Sequence, residues 1–415
     1  MPLLAGLDVG TTSAKAVVID LDGHERGHGR APVTWEPAAD GTEISAAALL
    51  DRARTALQDA LSAAPSGEVL GLGVASMAES GVLLGRDGSV LGPVIAWHDT
   101  RDAGEVAEAR AALGEDEYAL RTGLPLRPQW SLTKHRWLVT HTPAAAGAAR
   151  RLNIAEWIVR RLGGDEVSEP SLASRTGWLD ISRAGWWPAA TEWSGVRPGL
   201  LPPLVPAGTA VGQVPAGAGI PRLTGAALTV AGHDHQVAAI GAGATGAGDE
   251  LDSCGTAEAI VRTVRPGLAP ELMLELTRAG ITVGWHALPG NWCLLGATEG
   301  GLVLQRALRR LGVSPADGLT LDTEAWRAIL ADGAAQARAL HDAMSRVAGE
   351  HGQLIAVGGW LRSPAFVAVK RQFFGPVRRP VVDEAGARGA ALLAGVAAGA
   401  YPDVSRLPAP AMEQL

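Results

Sequence analysis

Small and polar residues that could bind phosphate stand close together in the first fifteen positions. An apolar run ends at Asp8 and leads into a turn that contains Gly10, Thr11, Thr12, Ser13 and Lys15. Successive amides in a glycine-containing turn can surround an anion, and hydroxyl and ammonium groups add donors for phosphate oxygens. A carboxylate at the end of the preceding strand can hold Mg²⁺, directly or through water. The alternative is an ordinary hairpin turn, and the segment lacks the Gly-Lys-Ser/Thr of a P-loop.

Two later loops have a similar character. Gly255 and Thr256 join two apolar stretches, and Gly358 and Gly359 follow a short apolar run. Glycines after a buried strand allow a ligand to approach the backbone closely. Taken separately, each of these loops is more simply explained as a tight turn.

The richest polar cluster lies at residues 231–236 and contains His233, Asp234 and His235. A carboxylate at this position could act as a general base for a hydroxyl nucleophile. The alternative is the start of a helix that Asp234 caps. The two histidines are also potential metal ligands. No third ligand with suitable spacing is evident, so a transition-metal site is not predicted.

Two further polar segments follow apolar strands. Residues 76–80, with Glu79, come after the apolar stretch 69–75, and Trp97 and Asp99 end another strand. Ligand groups in α/β folds commonly lie in this position. The alternatives are that Trp97 is a core residue and that Asp99 forms a local ion pair with Arg101.

Strands and helices must position these segments, and their alternation predicts an α/β protein. A β-meander begins at residues 3–7 and 14–20, with Asp22-Gly23 as a turn signal, and residues 69–75 form a buried strand. A second β unit is expected from Val230, and residues 249–264 repeat the strand, Gly-Thr turn and strand of residues 8–18. This repeat favours a duplicated fold. The stretches predicted as helical include 45–64, 99–112, 139–161, 301–311, 324–349, 363–374 and 388–398.

Composition limits the class of protein. The 415 residues suffice for two or three domains, and a hydrophobic content of 47% supports large buried cores. The net charge of −7 argues against a nucleic-acid partner, which usually requires a basic surface. Two cysteines cannot form a disulfide framework. We expect a cytoplasmic protein without a membrane partner, because neither a basic leader nor an apolar span of sufficient length is evident.

In chain order, these segments resemble the motifs of the FGGY carbohydrate kinases, which belong to the actin-like ATPase superfamily. Residues 7–15 resemble the first phosphate motif of that family, residues 253–256 its second, and residues 358–364 its adenosine motif. His233-Asp234 stands where the family carries its catalytic Asp. Further similar segments are 97–101, Lys134 with Trp137, 171–177 and 389–391. No single motif is decisive, but their common order makes the resemblance specific.

The resemblance implies an α/β fold of two actin-like (ribonuclease H-like) lobes, each a mixed sheet flanked by helices, with the active site in the cleft between them. Residues 1–228 would form the N-terminal lobe, which binds the sugar and carries the first phosphate motif. Residues 229–415 would form the C-terminal, nucleotide-binding lobe. The implied reaction transfers the γ-phosphate of ATP to a hydroxyl of a small sugar or polyol, with Mg²⁺ as cofactor. A homodimer is also expected.

The same resemblance assigns roles residue by residue. Asp234 would accept the proton of the attacking hydroxyl, and Asp8 with Asp234 would bind Mg²⁺. The implied phosphate-binding residues are Gly10, Thr11, Thr12, Ser13, Lys15, Gly255 and Thr256. The implied adenosine-binding residues are Gly358, Gly359 and Ser363. The implied substrate-binding residues are Glu79, Trp97, Asp99, Asp234 and His235.

The chain departs from the pattern of individual branches. Residues 77–80 read Met-Ala-Glu-Ser where xylulokinases have Gln-Met-His-Gly, which argues against xylulose. Glu79 lacks the preceding Arg of glycerol kinases, which argues against glycerol, and His-Asp-His-Gln is closer to the deoxyhexulose kinases. Trp360 replaces the third glycine of the adenosine motif, and the second lobe is short. The sugar therefore stays open.

Two other functions are compatible with the motifs. An actin-like ATPase that acts as a chaperone or filament would share the phosphate hairpins, but it would not need Glu79, Trp97 and Asp99 beside a sugar-sized pocket. A sugar sensor without kinase activity would not need both Asp8 and Asp234.

Overall fold

The computed structural model describes residues 1–255 and 257–415. Its strands are β1 (Leu3–Val9), β2 (Ser13–Ile19), β3 (Glu25–Pro32), β4 (Glu36–Ala38), β5 (Gly41–Ile44), β6 (Val69–Ser76), β7 (Gly81–Leu84), β8 (Val94–Ile95), β9 (Arg150–Asn153), β10 (Leu179–Asp180), β11 (Gly185–Trp186), β12 (Ala227–His233), β13 (Glu250–Cys254), β14 (Glu258–Val264), β15 (Thr282–Trp285), β16 (Trp292–Thr298), β17 (Leu354–Val357), β18 (Arg378–Pro380) and β19 (Met412–Gln414). Its α-helices are α1 (Ala46–Ala63), α2 (Ala103–Leu113), α3 (Glu115–Thr122), α4 (Ser131–His141), α5 (Ile154–Arg161), α6 (Pro170–Ala173), α7 (Pro188–Trp193), α8 (Asp234–Ala242), α9 (Pro270–Arg278), α10 (Gly300–Leu311), α11 (Pro315–Gly318), α12 (Glu324–Ala348), α13 (Pro364–Phe374) and α14 (Ala385–Ala397).

The first sheet has the strand order β12-β6-β1-β2-β3. β1 pairs antiparallel with β2 and parallel with β6, which in turn pairs parallel with β12. Strands β1 and β2 are almost entirely buried because helices cover both faces of the sheet. Helix α1 packs against β2 and β3, while α14 packs against β1 and β6. The carboxyl ends of β1, β6 and β12 therefore meet at one edge.

The second sheet has the strand order β15-β16-β14-β13-β17-β18-β19. Its β13–β14 hairpin is antiparallel, and β13 pairs parallel with β17, just as β1 pairs with β6. The core of this half includes Trp326, Leu330 and Phe366 from the surrounding helices. The two hairpins thus occupy equivalent places in two similar sheets, which supports the duplicated fold expected from the Gly-Thr repeat.

Helix α8 lies between the two halves. It contacts β12 of the first sheet and β13 and β14 of the second, and it packs along α14. The first turn of α8 is therefore at the junction of the two sheets, where the polar cluster at residues 233–235 is placed.

The expected second β unit from Val230 is wrong, because β12 pairs in parallel with β6 and completes the first sheet. The division into residues 1–228 and 229–415 stays a prediction, and its boundary falls inside β12. Helix α14 also returns from the C-terminal part of the chain to cover the first sheet.

The prediction that residues 139–161 are mostly helical is also wrong. Helix α4 ends at His141, a 3₁₀ turn spans Pro143–Gly147, and β9 precedes α5. Proline at 143 has no N–H to donate and its ring clashes with the preceding turn, so the helix stops before it. The freed segment pairs as β9 with β7.

Several local predictions are confirmed. Ser45 caps α1, since its hydroxyl accepts the Ala48 amide at 3.1 Å. Helices α10, α12 and α13 agree with the predicted stretches within two residues at each end. Throughout residues 1–255 and 257–415, none of the helices is long and apolar enough to span a bilayer.

Candidate active site

Two tryptophans fix the tip of the β1–β2 hairpin. The Gly10 amide donates to the Ser13 carbonyl at 3.1 Å and closes the turn. The Trp35 indole donates to the Thr11 carbonyl at 2.8 Å, and the Trp97 indole donates to the Thr11 hydroxyl at 2.9 Å. Trp97, which the sequence places in the substrate pocket, therefore contacts the first phosphate motif directly.

The cations and hydroxyls of this hairpin differ in exposure. Lys15 lies opposite Asp8 in the β1–β2 register, and its ammonium is 2.7 Å from the Glu384 carboxylate. Thr12 is exposed at the tip, whereas Ser13 is buried. The predicted phosphate-binding residues of the first half thus surround one turn, with one ammonium held beside it.

The carboxylate of Asp8 has an unsatisfied binding capacity. Its Oδ1 is buried and has no hydrogen-bond partner among the described residues. Burial, followed by the nearby Asp234, raises the pKa of Asp8 to about 7. A Cβ at position 386 would lie 2.3 Å from Asp8 Oδ2, so Gly386 lets α14 pass close to this carboxylate. A divalent cation would bind the unpartnered oxygen and would reduce the repulsion between the two acids. Carboxylate oxygens are ligands that Mg²⁺ prefers.

Asp234 is the first residue of α8, and its carboxylate is partly accessible. Its Oδ1 accepts the His235 amide at 2.7 Å and lies 3.2 Å from His233 Nε2. Burial opposes ionisation, but the contacts with His235 and His233 hold the pKa of Asp234 below its ordinary value. Since Asp8 has a raised pKa and Asp234 a lowered one, Asp234 is the member of the pair that carries the negative charge first.

His233 orients Asp234 as a neutral ring. Burial lowers the pKa of His233 to about 3, so the ring is uncharged at neutral pH. The short contact then requires Nε2–H to donate to Asp234, which leaves Nδ1 as the unprotonated nitrogen. The His233 amide donates to the Ser171 hydroxyl at 2.9 Å, and this bond fixes the start of α8. His235 is half-buried, with its ring edge-on to His233 at 5.6 Å.

The capping alternative for Asp234 is only partly supported. The N-cap position of α8 belongs to His233, whose side chain makes no capping bond. Asp234 still takes one free amide of the first turn through His235. A helix-end role and a chemical role therefore coexist at this residue.

Glu79 follows β6 in a left-handed conformation, with φ of 66°. Its Oε1 accepts hydrogen bonds from Arg175 Nε at 2.8 Å and from Gln129 Nε2 at 3.2 Å. Its backbone carbonyl accepts from Ser131 at 2.6 Å and Arg151 at 3.1 Å. Four long-range partners thus hold the strained backbone and the carboxylate in one orientation.

The carboxylate of Asp99 is paired within the protein, mainly with the nearby Arg101. This carboxylate forms a two-point ion pair with Arg101 at 3.0 and 2.9 Å and accepts the Thr42 amide at 2.6 Å. Burial opposes ionisation, but these bonds hold the pKa of Asp99 below its ordinary value. The geometry shows the local ion pair that the sequence left as an alternative, and the expected substrate contact stays a prediction.

The second phosphate motif and the adenosine motif lie against each other. The Gly255 amide donates to the Ala257 carbonyl at 3.2 Å at the tip of the β13–β14 hairpin. Gly358, with φ of 116°, approaches this hairpin so closely that a Cβ would lie 2.2 Å from the Cys254 carbonyl oxygen. Gly359 begins a 3₁₀ turn. Thr256, expected to bind phosphate, lies outside the described residues.

Two residues of the adenosine motif face the protein interior. Ser363 is buried and its hydroxyl caps α13 by accepting the Phe366 amide at 3.4 Å. Trp360 is buried and its ring lies 6.3 Å from Trp326 and 6.4 Å from Phe366. The tryptophan that replaces the third glycine of the motif therefore fills the core of the second half.

A buried ionic cluster supports the second hairpin. Lys370 Nζ is 2.6 Å from Asp252 on β13 and also contacts Glu258 on β14. Cys254 Sγ lies 3.4 Å from Asp252 Oδ1. Burial and the charge of Asp252 raise the pKa of Glu258 to about 8, whereas the surrounding carboxylates raise the pKa of Lys370 despite burial. At neutral pH Glu258 is therefore mostly protonated, while Lys370 carries its positive charge.

Three of these residues escaped sequence reasoning. Arg175 and Gln129 lie 96 and 50 positions from Glu79, so only the fold reveals their pairing. Lys370 carried a usable signal, because lysine is rare in this arginine-rich chain.

Comparison with known proteins identifies the family. The model of the N-terminal domain of the FGGY family of carbohydrate kinases matches residues 3–241. The chain belongs to the FGGY family of carbohydrate kinases. A glycerol kinase of Aromatoleum aromaticum is 30% identical to it over 98% of this chain and 92% of that protein. A xylulose kinase of Streptomyces coelicolor is 28% identical over 94% and 87%.

Solved structures show the same architecture. The crystal structure of a xylulose kinase from Rhodospirillum rubrum matches with a TM-score of 0.86 at 23% identity, covering 100% of this chain and 94% of that one. The expected actin-like α/β fold is confirmed, and the FGGY protein is an enzyme, an ATP-dependent carbohydrate kinase. Family membership gives no support to the filament or sensor alternatives.

Proposed function

We propose that this FGGY kinase phosphorylates a hydroxyl of a small sugar or polyol held beside Asp234, with Asp234 as the general base. The observation that carries the proposal is that Asp8 approaches α14 at Gly386 while α14 packs along α8, which begins with Asp234, at the junction of the two sheets. Asp234 has a lowered pKa and a partly accessible carboxylate, so it is ionised and available to a hydroxyl proton.

The second carboxylate has a different task. Asp8, with Asp234, would hold Mg²⁺, which when bound neutralises charge on the phosphates. The orphaned Asp8 Oδ1 fits this task, because a buried carboxylate oxygen without a partner is costly unless a cation reaches it. His233 supports Asp234 by donating from Nε2, which fixes the carboxylate toward the site.

We assign the phosphate chain to the two hairpins. In the first, Gly10, Thr11, Thr12 and Ser13 form the turn, and Lys15 is held beside it by Glu384. In the second, Gly255 would contact phosphate, together with Thr256 by family resemblance. Gly358, Gly359 and Ser363 would border the adenosine, with Ser363 acting mainly through the cap of α13.

We assign sugar contacts to Glu79 and to His235, whose amide donates to Asp234. Trp97 would act by holding Thr11, and Asp99 by holding Arg101. The names of the two curated relatives suggest a polyol or a ketose, while the Met-Ala-Glu-Ser segment departs from both patterns. A cytoplasmic location and a homodimer remain predictions.

The proposal is tested by measuring ADP release with Mg·ATP and a panel of ketoses, alditols and sugar acids. We expect release to depend on one class of sugar and to yield a sugar phosphate detectable by phosphorus NMR. Equal ATP turnover with and without every sugar would contradict the proposal.

A further inference from the structure

Two guanidinium groups lie over one buried tryptophan beside Glu79. The Arg175 guanidinium is 5.0 Å and the Arg127 guanidinium 5.3 Å from the centroid of the Trp130 ring. Trp130 is fully buried at the start of α4. A rigid aromatic plane therefore fixes the position of both cations.

The charges in this group do not balance. Arg175 Nε donates to Glu79 Oε1 at 2.8 Å, and Arg175 Nη2 lies 2.7 Å from the same oxygen. Arg127 reaches the same carboxylate only indirectly, because its Nε donates to Gln129 Oε1 at 2.9 Å and Gln129 Nε2 donates to Glu79. Within residues 1–255 and 257–415, no Asp or Glu forms an ion pair with Arg127. One positive charge is thus left over.

The excess charge of Arg127 is accessible to a ligand, because this side chain is exposed although its guanidinium stacks on Trp130. Arg127 is solvent-exposed, yet enough protein surrounds it that desolvation, followed by repulsion from Arg175, lowers its pKa. Ser171, four residues before Arg175, accepts the His233 amide at 2.9 Å, so the segment that carries Arg175 lies beside the start of α8, where Asp234 is.

We propose that the substrate of this kinase is a sugar acid, such as an aldonate, whose carboxylate binds Arg127 while one of its hydroxyls reaches Asp234. This inference rests on the proposed function and adds the chemical class of substrate. The flat guanidinium matches a carboxylate by two parallel hydrogen bonds, and its partial dehydration strengthens them. Arg127 is then the specificity-determining residue, and Glu79 with Gln129 orients it.

The test compares matched ligands by titration calorimetry in the absence of nucleotide. Four- to six-carbon aldonates are paired with the alditols of the same stereochemistry, which carry a hydroxymethyl group in place of the carboxylate. A charge-assisted bond predicts that the preferred aldonate binds about 10- to 150-fold more tightly than its alditol. The Arg127→Gln variant should reduce that ratio to about one, whereas Arg127→Lys should retain part of it.

Arg136→Gln is the matched control. Arg136 also stacks on a tryptophan, 4.8 Å from the Trp193 ring, but it pairs with Glu108. We expect this variant to keep the wild-type ratio. A ratio near one in the wild-type protein, or a ratio that Arg127→Gln leaves unchanged in a folded variant, would overturn the inference. Tighter binding of alditol monophosphates than of aldonates would also overturn it.

Phosphoryl transfer to the same panel separates the two proposals. Turnover of neutral sugars without preference for acids overturns the sugar-acid inference and leaves the kinase proposal standing. Tight, Arg127-dependent binding of an aldonate without any ATP-dependent phosphorylation of the panel supports the binding inference and overturns the proposed function.

Discussion

Two clusters of cations and carboxylates, one in each half of the molecule, use similar chemical groups to different ends. Around Glu79, the Arg175 pair is joined to an exposed second guanidinium, that of Arg127, which forms no ion pair with an acid in the described part of the chain. In the cluster of Lys370, Asp252 and Glu258, every member is buried, and the ammonium contacts both acids. The first cluster therefore has a guanidinium available to bind a ligand, whereas the charged groups of the second cluster are paired with each other inside the fold.

The difference shows that a cluster whose charged groups are all paired within the protein stabilises the fold, whereas a cluster with an unpaired charge can bind a ligand. Buried polar groups are costly unless they are paired, so a closed cluster fixes the elements it joins. Lys370 on α13 ties together both strands of the second phosphate hairpin, and α13 directly follows the adenosine motif. We infer that the Lys370 cluster stabilises the second hairpin, and that the cluster around Glu79 determines substrate specificity.

The largest effect is expected from Lys370→Met. Removal of the ammonium leaves the carboxyl groups of Asp252 and Glu258 buried without a cation, and breaking a buried ion pair in this way typically costs about 3–5 kcal/mol of unfolding free energy. Denaturant unfolding checks this value. The triple variant with Asp252→Asn and Glu258→Gln removes the charges together and should recover most of the loss. A loss below about 1 kcal/mol, the level of an exposed ion pair, would break the comparison.

A smaller effect is expected from Glu79→Gln. This change keeps the shape of the side chain but removes the charge that orients Arg175. Loss of a charge-assisted contact predicts about 10- to 150-fold weaker sugar binding, with ATP affinity nearly unchanged. Calorimetry with each ligand separates these effects. An equal loss of affinity for both ligands would mean that Glu79 supports the fold, as Lys370 does.

The smallest effect is a dependence of stability on pH. The pKa of Glu258 is about 8 in the folded protein, against 4.5 for the unfolded chain. The unfolded state therefore holds fewer protons between these values, and the stability due to Glu258 falls as pH rises from about 4.5 to 8. Unfolding curves of wild type and Glu258→Gln from pH 5 to 8 should diverge, with the wild type losing more stability. Parallel curves would show that Glu258 is ionised throughout.

Sequence reasoning succeeded where the signal is local. The hairpin after Asp8, the Ser45 cap and the cluster at Asp234 depend on neighbouring residues, and the structure places each of them as a turn, a cap or a helix start. The order of the motifs along the chain was enough to indicate the family.

Sequence reasoning failed where contacts between distant parts of the chain determine the structure. The pairing of β12 with β6 depends on the sheet, so an apolar strand at Val230 looked like a new unit. The Glu79–Arg175 pair spans 96 positions, and nothing in the spacing of either residue predicts it. Pro143 was visible in the sequence, but its effect on the helix was underestimated.

The central claim is that Asp234 is the general base at the junction of the two sheets, and turnover by Asp234→Asn tests it most directly. The variant keeps the shape and hydrogen bonding of the side chain but cannot accept the hydroxyl proton. Loss of a general base predicts a fall in turnover of about 10²–10⁴-fold, while sugar and ATP still bind within several-fold of wild type and the melting temperature is nearly unchanged. Wild-type turnover on the true sugar, combined with lower thermal stability, would contradict the claim and leave Asp234 as a helix-end residue alone.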